Sequence, residues 1–136
     1  MAVIIDRGSS VASTGTETLS IPILSPSDPV GLANFGLYTI NGGSALLNAT
    51  VGFQTTLGVP NVVFTIYRDG QPIFNVGASG LSALAITPVN ISYLDNAPQG
   101  YHSYLLVVTN NSSNVLLNTA SVTGPVSFSG VSFGDF

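Results

Sequence analysis

Few groups in this chain could do acid-base, nucleophilic or metal chemistry: one histidine, His102, six carboxylates, two arginines and no cysteine in 136 residues. The missing cysteine removes thiolate nucleophiles, zinc-thiolate sites and any redox switch. A Ser-His-Asp triad needs a base held between a carboxylate and a serine raised on a sharp turn. The chain is expected to lack such a nucleophile elbow, and His102, alternating with Tyr104 and Leu106, reads as a packed or interface residue of a strand. Zinc would need a cluster of histidines or carboxylates, and the sequence has no histidine pair. Asp28, Asp69 and Asp95 could offer calcium their oxygens together with backbone carbonyls, but each is expected to be a single turn residue. Six scattered acids are a poor source of the paired carboxylates of glycoside hydrolysis. Gly42-Gly43 and Gly77–Gly80 lack the following helix that would aim amides at phosphate, so they read as turns. The expectation is no catalytic residue, no metal and no cofactor. Tyr93, Tyr101 and Tyr104 are the candidates for a ligand-binding pocket. Sequons at Asn48, Asn90, Asn110 and Asn111 are expected by chance in so Ser/Thr/Asn-rich a chain.

Charge narrows the partners. Only 6% of residues are charged, against about 25% in a typical soluble domain, while 45% are hydrophobic and the mean hydropathy is positive. Neutral Ser, Thr, Asn, Gln and Gly must keep the exterior in water, and such a surface lacks the repulsion that holds copies apart. Association is the expected outcome. The only basic side chains are Arg7 and Arg68, too few for a phosphate-tracking groove or an anionic-lipid patch. Nucleic acid and membrane are therefore not expected as partners. The opening Val3-Ile4-Ile5 stops at Asp6-Arg7, short of a signal peptide's apolar core, and the initiator Met leads to the expectation that nothing was trimmed. Counting back by twos from Phe136 gives Gly134, Ser132 and Gly130, which do not make the lipid face of a membrane barrel.

The elements that must position these residues are strands. Apolar residues alternate in Glu17–Leu24, Ser44–Gln54 and Val62–Arg68, with period two rather than 3.6. Asp69-Gly70 predicts a tight hairpin turn into Gln71–Val76. Leu37–Ile40, Leu81–Thr87, Val89–Leu94, Tyr101–Thr109, Val115–Thr123 and Val126–Phe133 read as further strands, with Pro88 at a break or an edge. The chain is predicted to be one all-β domain of about 8–10 short antiparallel strands, a sandwich, jelly roll or small barrel. Residues 1–16 are predicted to lie outside it. Val3, Ile4 and Ile5 would form a self-assembly arm, tethered by a Ser/Thr/Gly linker that includes Gly8, Ser9, Ser10 and Gly15. Stretched at about 3.3 Å per residue, Gly8–Thr16 would reach roughly 30 Å, enough to dock the arm on a neighbour. Docking on a surface unlike the one it leaves would propagate head to tail. The alternative is an N-terminal strand paired within its own domain. The domain proper would span residues 17–136.

Three segments resemble the C1q/TNF-like jelly-roll family. Ser127-Phe128-Ser129-Gly130-Val131 is similar to the Phe-Ser-Gly-containing last strand of C1q heads, in which the aromatic packs inward and the glycine lets strands approach. Phe64–Gly70 resembles the family's strand ending in an Asn-Gly turn, and Gly36-Leu37-Tyr38 a strand entering the core. The family's Gly-Asp before the penultimate long strand is replaced by Gly100-Tyr101-His102. The resemblance implies a trimer with an apolar three-fold interface. Composition and architecture look like the spore-surface branch of the family, subunits of the exosporium and of endospore appendage fibres. What that implies is a structural protein, made in the mother cell without a signal peptide and deposited outside the spore. It would polymerise with itself into a durable helical filament, beside other spore-surface or anchoring proteins. Two other readings are a viral capsid or phage fibre protein with the same jelly roll, and a lectin-like ligand-binding module.

Overall fold

The computed structural model describes residues 2–15, 19–80 and 84–135, and among these it has nine strands and no helix. They are β1 (Ala2–Ser13), β2 (Ile21–Pro22), β3 (Val30–Thr39), β4 (Ser44–Leu57), β5 (Asn61–Arg68), β6 (Gln71–Ser79), β7 (Ile86–Asp95), β8 (Gly100–Asn110) and β9 (Thr119–Asp135). One sheet runs β1-β9-β4-β7, with β2 also paired to β9; the other runs β3-β8-β5-β6. All of these strand pairs are antiparallel. A five-stranded and a four-stranded layer in this order, each mixing strands from both halves of the chain, make an all-β jelly roll.

Alternation of side chains makes the core. Leu47, Ala49, Val51 and Phe53 of β4 point into the sandwich, where they meet Val62, Phe64 and Ile66 of β5 and Tyr104, Leu106 and Val108 of β8. Phe128 of β9 is fully buried, with its ring 4.7 Å from Phe35. Gly130 follows on the same face, and a Cβ there would lie 2.8 Å from the Phe35 ring. The Phe-x-Gly spacing thus leaves room for one aromatic to cross from the opposite sheet. Asp69-Gly70 forms the β5–β6 turn with both residues at positive φ, 51° and 82°, the geometry that a two-residue hairpin of this twist requires.

Several predicted boundaries shift. Val115–Thr123 and Val126–Phe133 belong largely to one 17-residue strand, β9, which runs through a cis Gly124-Pro125 bond. Residues 115–118 stand outside it, in the preceding turn. Only Ile21–Pro22 of the predicted Glu17–Leu24 is strand, and residues 17 and 18 lie outside the described residues. Of Leu81–Thr87, residues 81–83 lie outside them too, and β7 starts at Ile86 and runs unbroken through Pro88. Pro88 is accommodated because β7 is the edge of its sheet.

The largest correction concerns the N-terminus. Residues 2–13 are not a tethered arm: they form β1, paired antiparallel along β9 from Ala2↔Asp135 to Ser13↔Val126. Val3 faces Gly134, Ile4 faces Phe133, and Ile5 sits at a register shift. Gly8, Ser9 and Ser10, read as linker, pair with Gly130, Ser129 and Phe128. The small residues serve close approach rather than flexibility. A Cβ on Gly8 would come 2.7 Å from the Gly36 carbonyl oxygen, so glycine lets β1 lie against β3 of the other sheet. The contact is fastened where the Tyr38 N–H donates to Asp6 Oδ2 at 2.9 Å and Ser132 Oγ donates to the Tyr38 carbonyl at 2.5 Å. Gly15 lies just beyond the strand, its carbonyl accepting a bond from Ser13 Oγ, and the predicted boundary at residues 16 and 17 lies outside the described residues.

Candidate functional site

Most of the described charged groups gather towards one pole of the sandwich, the end that holds the β3–β4, β5–β6 and β7–β8 connections. Asp69 in the β5–β6 turn accepts the Ser103 N–H on Oδ1 at 2.8 Å and His102 Nδ1 on Oδ2 at 2.6 Å. His102 Nε2 donates to the Pro98 carbonyl at 2.6 Å, and the same carbonyl accepts Thr39 Oγ1 at 2.6 Å. Both ring nitrogens therefore face acceptors, the arrangement that fits a protonated imidazolium. Burial works against that charge, but the bonds to Asp69 and Pro98 outweigh it and raise the His102 pKa above its ordinary value. The bond from His102, followed by that from the Ser103 amide, holds the Asp69 carboxyl below its ordinary range. Beside this pair, buried Asp95 accepts Arg68 Nη1 at 2.6 Å and the Tyr104 hydroxyl at 2.7 Å. The Asp95 bond raises the Arg68 pKa, and burial, aided by Asp95, pushes the Tyr104 phenol far up.

This geometry ties connections together more readily than it moves protons to a substrate. Nε2, the nitrogen that a triad would offer to a serine, is taken by the Pro98 carbonyl. One string does match the elbow spacing, contrary to the sequence reading: Gly130-Val131-Ser132-Phe133-Gly134. Ser132 is fully buried within the C-terminal part of β9, with its Oγ donating to the Tyr38 carbonyl, and stands on no turn. The carboxylates of Asp69 and Asp95 already accept protein donors, and Asp28 lies at the opposite pole. Among the described residues no three His, Cys, Asp or Glu side chains cluster as a metal site would. The three tyrosines considered for a ligand pocket do not converge. Tyr104 is in the core, Tyr93 stacks on Phe74 at 4.7 Å, and Tyr101 stands exposed on the outer face of the second sheet beside Tyr38.

The surfaces are more informative than the polar cluster. On the outer face of the first sheet, paired residues line up across the strands. Ser129, Asn48 and Ser92 make one row, and Ser127, Thr50 and Asn90 the next, with Thr50 Oγ1 bonded to Asn90 Oδ1 at 2.9 Å. Nearer the charged pole Val131, Leu46 and Leu94 make an apolar row, with Arg7 at its end. Two long edges, β6 and β7, lie on the same side of the sandwich. Neither shows an exposed charged side chain: β6 has none, and Asp95 of β7 is buried. Sequence reading missed both surfaces, since a strand's rank in a sheet is not written in its residues.

No protein-family model matches the chain, and no curated protein matches its sequence. Among solved structures the fold is similar to that of Eiger TNF from S. frugiperda, with a TM-score of 0.59, 9% identity, and coverage of 98% of this chain and 94% of that one. It is similar also to a chain in the structure of infectious bursal disease virus Gx strain, with a TM-score of 0.59 and 16% identity. That match covers 98% of this chain but 37% of the viral one. A carbohydrate-binding module solved with calcium and xylotriose is matched at a TM-score of 0.46 and 15% identity, over 93% of this chain and 99% of that module. The likenesses to the TNF and viral chains show a jelly roll of the TNF/C1q-like kind; at these identities they show the fold alone.

Proposed function

We propose that this chain is a structural subunit that assembles with copies of itself into a durable extracellular fibre or coat, of the kind found on bacterial spore surfaces. The observation that carries the reading is the pair of uncharged edges, β6 and β7. Soluble monomers blunt free edges with charged side chains, lysine above all, because an unpaired ladder of N–H and C=O groups templates another strand. This chain has no lysine, and a single proline near the start of each edge is its only block. The apolar row Val131, Leu46 and Leu94 adds a face for the three-fold unit that the C1q resemblance implies. Contacts of neutral hydrogen bonds and apolar side chains depend weakly on salt, so such an assembly persists at high ionic strength.

Placing lysines on both edges, Asn75→Lys with Ser92→Lys, tests this. Both side chains are exposed, so the fold is retained. The expected result is fibres or large oligomers from the wild-type chain and small soluble species from the variant. Equal assembly by both chains would remove the edges from the account. A wild-type chain that stays monomeric at high concentration would remove the function.

A further inference from the structure

The pole opposite His102 is built from the β2–β3, β4–β5, β6–β7 and β8–β9 connections, and its surface is leucine-rich. Leu24, Leu57, Val59, Leu84, Leu116 and Leu117 are all exposed there, Leu84 at 72%, Leu116 at 82% and Leu117 at 61%. Beside them a hollow of about 390 Å³ opens between Ile23, Leu24, Val115 and Leu116. Asp28, exposed at its rim, is the one charged side chain at this pole among the described residues. The other described charges, Asp6, Arg7, Arg68, Asp69, Asp95 and Asp135, and with them His102, lie in the half towards the other pole.

We infer that the leucine pole pairs with the leucine pole of a second copy, in a two-fold contact. The inference rests on the reading of the chain as a self-assembling subunit and names one of its interfaces. Charge segregation selects the partner. Setting this pole against the charged pole of another copy would strip water from the half-exposed Asp69 carboxylate, whose bonds to solvent a leucine surface cannot replace, which is costly. Like poles instead exclude water from leucine on both sides, bring only the rim residue Asp28 near the contact, and leave every charged pole in solvent. The surface is also self-complementary, since it carries both a hollow and protruding side chains, Leu116 and Leu117. In a two-fold contact each copy's knob meets the other's hollow.

The chain has no cysteine, so one introduced thiol reports on its own position in the neighbouring copy. With a short bis-maleimide, Leu116→Cys is expected to give a covalent dimer in high yield, while Gln71→Cys at the other pole gives at least ten-fold less. Added to the Asn75→Lys, Ser92→Lys background, in which edge assembly is blocked, Leu116→Asn with Leu117→Asn is expected to halve the native mass in light scattering with the circular dichroism unchanged. Preferential Leu116→Cys to Gln71→Cys cross-linking in a mixture would overturn the pairing in favour of a head-to-tail contact. A native mass unchanged by the asparagines would overturn it while leaving self-assembly standing. A monomeric wild-type chain would overturn both.

Discussion

His102 and Asp69 show how single residues hold this fold's connections in place. They are 33 positions apart, and one carboxylate joins the β5–β6 turn to β8, while the other imidazole nitrogen holds the β7–β8 connection through Pro98. The His102 pKa is raised above 6.5, so its contribution to stability is fully present below pH 6.5 and is lost as pH rises through the raised folded value. The Asp69 pKa is lowered from 3.8, so its contribution is present above that pH and is lost as pH falls through the depressed value. Stability from the pair is therefore greatest between those two folded values. An NMR titration of the His102 ring is expected to give a midpoint above 6.5, and a midpoint below it would contradict the two-acceptor geometry. In Tyr104→Phe, buried Asp95 loses the hydroxyl donor, at a cost of about 1–3 kcal/mol in denaturant melts. Phe128→Ala leaves a cavity beside Phe35 and is expected to cost about 3–5 kcal/mol. Inward packing of Phe128 was implied by the resemblance of its segment to the last strand of C1q heads. The His102–Asp69 bond was not, because it depends on which turns meet at one pole.

Strands whose apolar residues alternate, β4, β5 and β8, were legible nearly to their ends, and so was the Asp69-Gly70 turn. The misreading of the N-terminus has a physical cause. Gly8, Ser9 and Ser10 have no apolar side chains to alternate, so the segment read as a flexible linker. Yet those small side chains let β1 sit close to β3 while it pairs with β9. Composition reports what a residue can bury, and β1 is held by its backbone and by Asp6 rather than by buried bulk. Val3, Ile4 and Ile5 are therefore part of the domain in a lone chain, and removing them has a structural cost. Deleting residues 2–13 would leave β9 an open edge along most of its length. The expected result is an aggregated or unfolded product by circular dichroism and light scattering; a well-folded product would contradict the role of β1. The milder Gly8→Val forces a side chain against the Gly36 carbonyl and is expected to lower the melting temperature by several degrees while preserving native spectra.

At the scale of the whole molecule, the legible quantity was charge. Eight acidic and basic side chains in 136 residues led to the expectation of a surface that associates, and the fold shows where that scarcity falls: on the edges β6 and β7 and on one pole. No sequence pattern could assign those places, because pole and edge are properties of the assembled sheets. If neutral contacts hold the copies together, raising sodium chloride from 0.1 M to 1 M, which shortens the screening length from about 10 Å to about 3 Å, leaves the assembly intact. The central claim is self-assembly, and negative-stain microscopy of the purified full-length chain, in both low and high salt, tests it most directly. The account predicts ordered fibres or large regular assemblies in both. A uniform population of single 13.9 kDa molecules in either condition, at concentrations that saturate association, would contradict it.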